Sequence, residues 1–495
     1  MTAGPHVQAF DLNIDTVLKH WPLAFAIREI IANALDEHKI TGTAEPMIEK
    51  VEDGTWEIRD FGRGLRYQHL TQNESTEKQH HQDVIGQFGI GLKDALAVFE
   101  RNAVGVTLHS AHGDISTGRQ AKPDFGDIVT WHALVTAPVD PQMRGTRVRI
   151  TGIAYTDVEA AKELFLKFSG DVPLEQTRFG EVLARRPDSA GGRVYVRGLL
   201  AAEEPHFLFS YNIIDLNAPL RRALNRERSN VGRTAYSSRV KDMLIACKSR
   251  EVAEPLTADL AGYASGTMHA ELDWKDVKLH ACRVLQSNDK VLFVTSRQLE
   301  QRTPQIDYAK DDGYRLVVVP DDLAKALGNE TDLEGHPLVD LDAYRKSWNE
   351  SFSFTFVEPG MLTHTEQQVF SLATPTAQLA QILPGQTGVT SILISETMRL
   401  NDGGETARGL YQKDMNRIVI HRGQLENAVQ FCGTLLHELA HARSGATDGT
   451  REFECELTDI LGTIAAAALN GVAGSVPATQ RKSLRQRVLH RVRNA

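Results

Sequence analysis

Four cysteines in 495 residues are too few and too scattered to build a scaffold. Cys247, Cys282, Cys432 and Cys455 form no C-x-x-C pair, which excludes both a disulfide framework and a thiolate zinc site. Long apolar runs are missing as well. The most apolar late stretch, Ile460–Gly474, is too short and too rich in alanine and glycine to span a bilayer, so no membrane partner is expected. The opening residues carry no basic segment followed by an apolar one, so no secretory signal is visible, and a cytoplasmic setting with reduced thiols is the expectation. Net positive charge is also absent. With 55 Lys and Arg against 64 Asp and Glu, the formal charge of −9 disfavours a protein that coats nucleic acid nonspecifically.

What is present is ordinary globular material, 41% hydrophobic and 24% charged, in a chain too long for one core. The pattern along it implies an α+β multidomain protein. Residues 1–155 form a first domain, 156–262 a second, 263–345 a middle α/β region with no assignable chemistry, 346–475 a last and mainly helical module, and 476–495 a basic helical tail. Leu23 to His38 reads as a strong amphipathic helix with Ile27, Ile30, Ile31, Ala34 and Leu35 on its apolar face. Strands are predicted at Thr55–Asp60, Ala103–Ser110, Asp127–Thr136 and Thr146–Ile150, then near Val194–Val196 and Phe207–Ile214. The last module offers strands at Ser391–Ser395 and Asn416–His421, a helix from Asn427 to Arg443 stopped by Gly445, and a second helix from about Thr450.

Two constellations carry chemistry. In AIREIIANALDEH, the residues Glu29, Asn33 and Asp36 fall on one side of an otherwise apolar helix, where polar groups face a cavity or need partners in the core. Asp60, with Gly62 and Gly64 after it, places a carboxylate at a strand end beside backbone that can pass close to a flat ring. GQFGIGLKDAL brings Gly86, Phe88, Gly89, Gly91, Leu92 and Lys93 to the start of a helix, where free N–H groups suit phosphate oxygens. These segments, in this order, resemble the N-box and the two G-boxes of the GHKL ATPases (gyrase B, the heat-shock chaperone, sensor histidine kinases and MutL). Gly145-Thr146 resembles the family's last nucleotide-contacting motif.

The resemblance covers about the first 155 residues and implies a Bergerat-type α/β sandwich that binds ATP and Mg2+. It implies that Glu29 activates water, Asn33 holds magnesium, Asp60 reads the adenine amino group, and the glycine segment lines the triphosphate under a lid from Arg66 to Asp83. It also implies a homodimer through this domain and a transducer-like second domain that sends a basic residue toward the γ-phosphate. Arg226, Arg228 and Arg233 are the candidates for that residue, set against a surface or nucleic-acid role.

The second constellation is His437-Glu438-x-x-His441. Histidines at i and i+4 on a helix present two nitrogens to one Zn2+, with the glutamate beside the open position. The arrangement resembles the zincin metallopeptidases, in particular those whose third ligand comes from the next helix. Glu454 is the first choice for that ligand, with Glu456 and Asp448 behind it. Glu438 would take the proton from zinc-activated water, and Tyr411 or His421 is a candidate oxyanion donor. The preceding strand, MNRIVIHR, is a candidate edge for an extended peptide. The arginine-rich tail, with Leu484, Val488 and Leu489 on one stripe, reads more readily as a solvated helix than as a nucleic-acid contact.

The expected function is an ATPase whose nucleotide-driven change, through dimerisation, controls a zinc peptidase acting on a protein substrate. The alternatives are a chaperone-like or DNA-clamping ATPase with an inert metal-binding module, and a scaffold that binds nucleotide without turnover.

Overall fold

A computed structural model describes residues 7–12, 20–71, 84–85, 91–122, 125–224, 231–266, 268–382 and 387–475. The chain divides into two compact units: residues 1–290 with 317–338, and residues 291–316 with 339–495. The expected middle region is thus shared between them.

The first unit opens with seven strands and two long helices. They are β1 (Gln8–Asp11), α1 (Leu23–Thr41), β2 (Met47–Lys50), β3 (Trp56–Arg59), α2 (Gly91–Arg101), β4 (Gly105–Ser110), β5 (Gly113–Lys122), β6 (Phe125–Thr136) and β7 (Thr146–Thr151). The strands form one antiparallel sheet in the order β1-β6-β5-β4-β7-β3-β2. Helix α1 starts after Pro22 and ends at Gly42, whose φ of 63° lets it close the helix in the left-handed conformation. Its apolar residues Ile27, Ile30 and Ile31 are buried with Leu96, Val98 and Phe99 of α2 and with Ile58, Leu108 and Ile150 of the sheet. A helical layer on one face of an antiparallel sheet is the result.

A second sheet follows, β8 (Pro173–Thr177), β9 (Gly180–Ala184), β10 (Gly192–Val196), β11 (Leu199–Glu204) and β12 (Phe209–Ile213), in the order β11-β10-β12-β9-β8. The helices α3 (Arg233–Ala246), α4 (Arg250–Asp259) and α5 (Lys275–Asn288) come after it. Helix α3 gives way to α4 at Cys247, whose ψ of 145° is extended.

The second unit contains β13 (Val291–Val294) and α6 (Leu341–Ser351); β14 (Arg315–Val318) begins in this unit and ends in the first. Its larger part holds β15 (Phe356–Val357), β16 (Ser391–Ser395), β17 (Gly409–Gln412), β18 (Arg417–His421), α7 (Ala428–Ser444) and α8 (Arg451–Ser475). The four strands form a small mixed sheet in the order β15-β16-β18-β17, within a module that is otherwise mainly helical, as the sequence led us to expect. Phe431, Leu435 and Leu439 of α7 share a core with Ile394, Ile418 and Ile420 of the sheet and Phe453 and Ile460 of α8. No described helix is long and apolar enough to cross a membrane.

Candidate functional sites

Residues of the first constellation meet where β3 runs into its glycine turn, beside the start of β7. Asp60 leaves β3 almost fully buried, and its Oδ1 accepts a hydrogen bond from the Gly62 N–H at 2.9 Å. Its backbone N–H donates to the Thr146 carbonyl at 3.0 Å. Burial raises the Asp60 carboxyl above its usual value, while hydrogen bonds from Gly62 and Thr146 pull it back. A side chain at Gly145 would collide with the Asp60 carbonyl, so glycine at that position (φ 79°) is what lets the two segments touch. Gly64, with φ 84°, lies against the Gly145 carbonyl. The Ser110 hydroxyl donates to the Leu65 carbonyl at 2.6 Å, and His112 Nε2 meets the Arg63 carbonyl at 3.2 Å. The loop is therefore fixed from β4 as well.

On α1, Glu29 is 3% exposed and paired with buried Arg28, whose terminal nitrogen lies 2.7 Å from Glu29 Oε1. The Arg28 guanidinium is stacked on Phe25 and Trp21, at 4.6 and 5.1 Å from the ring centres. The other Glu29 oxygen presses on Gly91, where a Cβ would occupy its place. The carboxylate thus sits at the first residue of α2, where the helix dipole favours negative charge. Asn33 is half-buried one turn further along α1. Asp36 is fully buried, and its Oδ1 accepts the Ile85 N–H at 2.6 Å. Leu92 packs on the domain core and Lys93 is half-buried in the first turn of α2. Gly86, Phe88 and Gly89 lie outside the described residues, as does most of the expected lid.

Sequence reasoning missed two groups here. Glu37 binds Arg63 by two nitrogens, at 2.9 and 3.0 Å, and packs on Gly62. Arg197 sends its guanidinium from the β10–β11 turn to the Val84 carbonyl at 3.4 Å, next to the residue that Asp36 holds. The signal was present in VYVRGLLA: two short apolar runs joined by Arg197-Gly198, a two-residue turn with positive φ at both positions. Of the arginines nominated instead, Arg226 and Arg228 lie outside the described residues. Arg233 is described, with its guanidinium 5.3 Å from the Phe207 ring centre.

In the second unit, Asn427 caps α7 by accepting the Gln430 N–H at 2.9 Å, and Gly445 ends it with φ 64°. His437 Nε2 and His441 Nε2 are 3.2 Å apart, and Asp448 Oδ1 lies 3.2 and 3.4 Å from them. Three donors around a tetrahedral zinc with bonds of about 2.0–2.1 Å are separated by about 3.3 Å, so the set fits that ion. His441 Nδ1 donates to the Ala446 carbonyl at 2.9 Å, which fixes the proton there and leaves Nε2 with its lone pair. Burial holds His437 below its usual value, with Asp448 acting in the opposite direction. The Phe453 ring stacks on His441 at 4.3 Å and meets His437 edge-on at 4.9 Å, fixing both imidazoles.

The carboxylate brought to the histidines is therefore Asp448, from the turn after α7. Glu454, the first choice from sequence, is exposed on α8 and acts on His437 more weakly than Asp448 does. Glu456 is committed to Arg443. Glu438 is 5% exposed, and its Oε2 accepts the Tyr411 N–H at 2.8 Å. Burial pushes its carboxyl up to about 7. His421 is engaged by the Gly423 N–H at 3.2 Å and Tyr411 packs on the core, so neither is marked out as an oxyanion donor. The predicted peptide-binding edge is also displaced. The MNRIVIHR strand, β18, is paired on both sides, and the edge beside α7 is β17.

Comparison with known proteins connects the chain to Mycoplasma pneumoniae. A profile for the Mycoplasma pneumoniae MPN635 N-terminal domain matches residues 156–250, which span the second sheet and α3. An uncharacterized protein of that organism is 35% identical over 238 residues, 47% of this chain and 95% of the relative. A second uncharacterized Mycoplasma pneumoniae protein is 23% identical over 344 residues, 65% of this chain and 96% of the relative.

Proposed function

The chain belongs to the family of the first of these Mycoplasma pneumoniae relatives, and from the geometry of its own side chains we propose that it is an ATP-driven zinc peptidase acting on a protein substrate. The observation that carries the peptidase half is the spacing of His437, His441 and Asp448, 3.2–3.4 Å between donor atoms, with the buried Glu438 on the same helix. Zinc held by His437, His441 and Asp448 would supply a Lewis acid and an acidified water. Glu438 would serve as the proton acceptor, and β17 would offer an edge along which an extended substrate pairs.

The nucleotide half rests on the buried Asp60 beside Thr146, an acceptor suited to an exocyclic amine, and on Glu29 at the start of α2. Asn33 is the proposed magnesium ligand. Glu29 orients the water that attacks the γ-phosphate, a reaction that depends on positioning and charge neutralisation. Arg197 joins Arg226, Arg228 and Arg233 as a candidate for the residue through which the second sheet senses the phosphate segment. The fold assigned under this reading is a Bergerat-type domain, a transducer-like sheet and a zincin-like module, working as a cytoplasmic homodimer.

The metal assignment is tested by zinc analysis of purified variants. Asp448→Ala is expected to lower zinc affinity by at least about tenfold, whereas Glu454→Ala retains the ion. Full zinc retention by Asp448→Ala together with loss in Glu454→Ala would reverse the ligand assignment.

A further inference from the structure

Strand β17 does more than border the sheet. Arg408 accepts the His421 N–H at 2.9 Å, so the backbone groups of Arg408, and by alternation those of Leu410 and Gln412, face β18. Gly409 and Tyr411 therefore turn theirs to the other side, the free edge of the sheet among the described residues. At that edge the Tyr411 N–H is already occupied, because it donates to Glu438 Oε2 at 2.8 Å. The strand sits this close to α7 because residue 409 has no side chain. A Cβ there would lie 2.6 Å from the Thr434 methyl, 2.8 Å from Glu438 Oε1 and 2.9 Å from Glu438 Cγ. Both oxygens of the carboxylate thus lie against β17, and Glu438 is 5% exposed although His437 and Asp448 are open to solvent at 38% and 68%.

We propose that β17 is a latch on Glu438: without a peptide on its free edge the Tyr411 N–H holds the carboxylate, and an extended peptide pairing there takes over that N–H and releases it. This rests on the peptidase reading. The exchange is one acceptor for another at a single donor, a peptide carbonyl replacing a carboxylate oxygen, so no hydrogen bond is lost at the strand. Release then delivers the base only when a substrate of extended conformation is in place. Folded proteins without a free extended segment are spared, and the substrate class becomes unfolded or locally unravelled chains.

The test is amide hydrogen exchange at Tyr411 in the full-length, zinc-loaded protein, read beside Leu410 and Gln412. Tyr411 is expected to be protected although no strand pairs with its edge. Glu438→Ala should speed its exchange at least about tenfold while leaving Leu410 and Gln412 unchanged, and Glu438→Gln, which keeps an acceptor, should preserve protection. Excess denatured casein added to Glu438→Ala should restore it. Unchanged Tyr411 exchange in Glu438→Ala overturns the latch, and failure of casein to restore protection overturns the exchange of acceptors. Neither result depends on turnover, so loss of the peptidase reading is registered separately, as absence of casein cleavage by the zinc-loaded parent.

Discussion

Glu438→Ala is expected to lower the cleavage of denatured casein by about 10²- to 10⁴-fold while the purified protein still carries zinc. Glu438 accepts the Tyr411 N–H and lies against Gly409, whereas the three donors at 3.2–3.4 Å are His437, His441 and Asp448. Removing its carboxylate therefore takes away the proton acceptor and leaves the metal set complete. The side chain is buried and satisfied by one backbone donor, so its loss exposes a small cavity but breaks no ion pair. A structural zinc site with an idle glutamate predicts unchanged cleavage. Loss of zinc in this variant would instead place Glu438 among the ligands.

Asp60→Asn is expected to weaken ATP binding by about 1.5–3 kcal/mol, or about 10- to 10²-fold in Kd, the range for a hydrogen bond to a charged group. The substitution preserves shape. It retains an acceptor for the Gly62 N–H but turns the second position from an acceptor into a donor, facing the amine it would have to bind. Burial of Asp60 sharpens the effect, since an unpaired polar group there has no water to turn to. The discriminating control is a nucleotide with no exocyclic amine at the same place. Inosine triphosphate should bind the parent poorly and lose little on mutation. Equal losses for ATP and inosine triphosphate would mean that Asp60 supports the loop and does not read the base.

Much of this was legible because it is local. The apolar face of α1, Asn427 and Gly445 at the ends of α7, and the strands containing Trp56–Arg59 and Ser391–Ser395 follow from periodicity and capping within a few residues. The strands that escaped pair with their neighbours in sequence but lack a readable apolar/polar alternation of useful length. Gly113–Lys122 is polar along much of its length yet pairs with β6 from Asp114 to Lys122, and Gly409–Gln412 is four residues long. Missing Gly409–Gln412 misassigned the sheet edge to β18. In the candidate metal site the histidine pair is readable because the helix fixes their spacing. Asp448, the carboxylate that the structure brings beside them, lies in the turn after α7, where helical periodicity is silent, so the sequence pointed to Glu454 instead. Arg197 escaped for a related reason: its contact to Val84 spans 113 residues.

Control of the peptidase by nucleotide is decided by the rate of casein cleavage by the full-length, zinc-loaded protein with and without Mg-ATP. A several-fold higher rate with Mg-ATP is expected, abolished by Asp60→Asn at limiting nucleotide. An identical rate in the presence and absence of Mg-ATP, in protein shown to bind it, would mean that nucleotide does not gate cleavage.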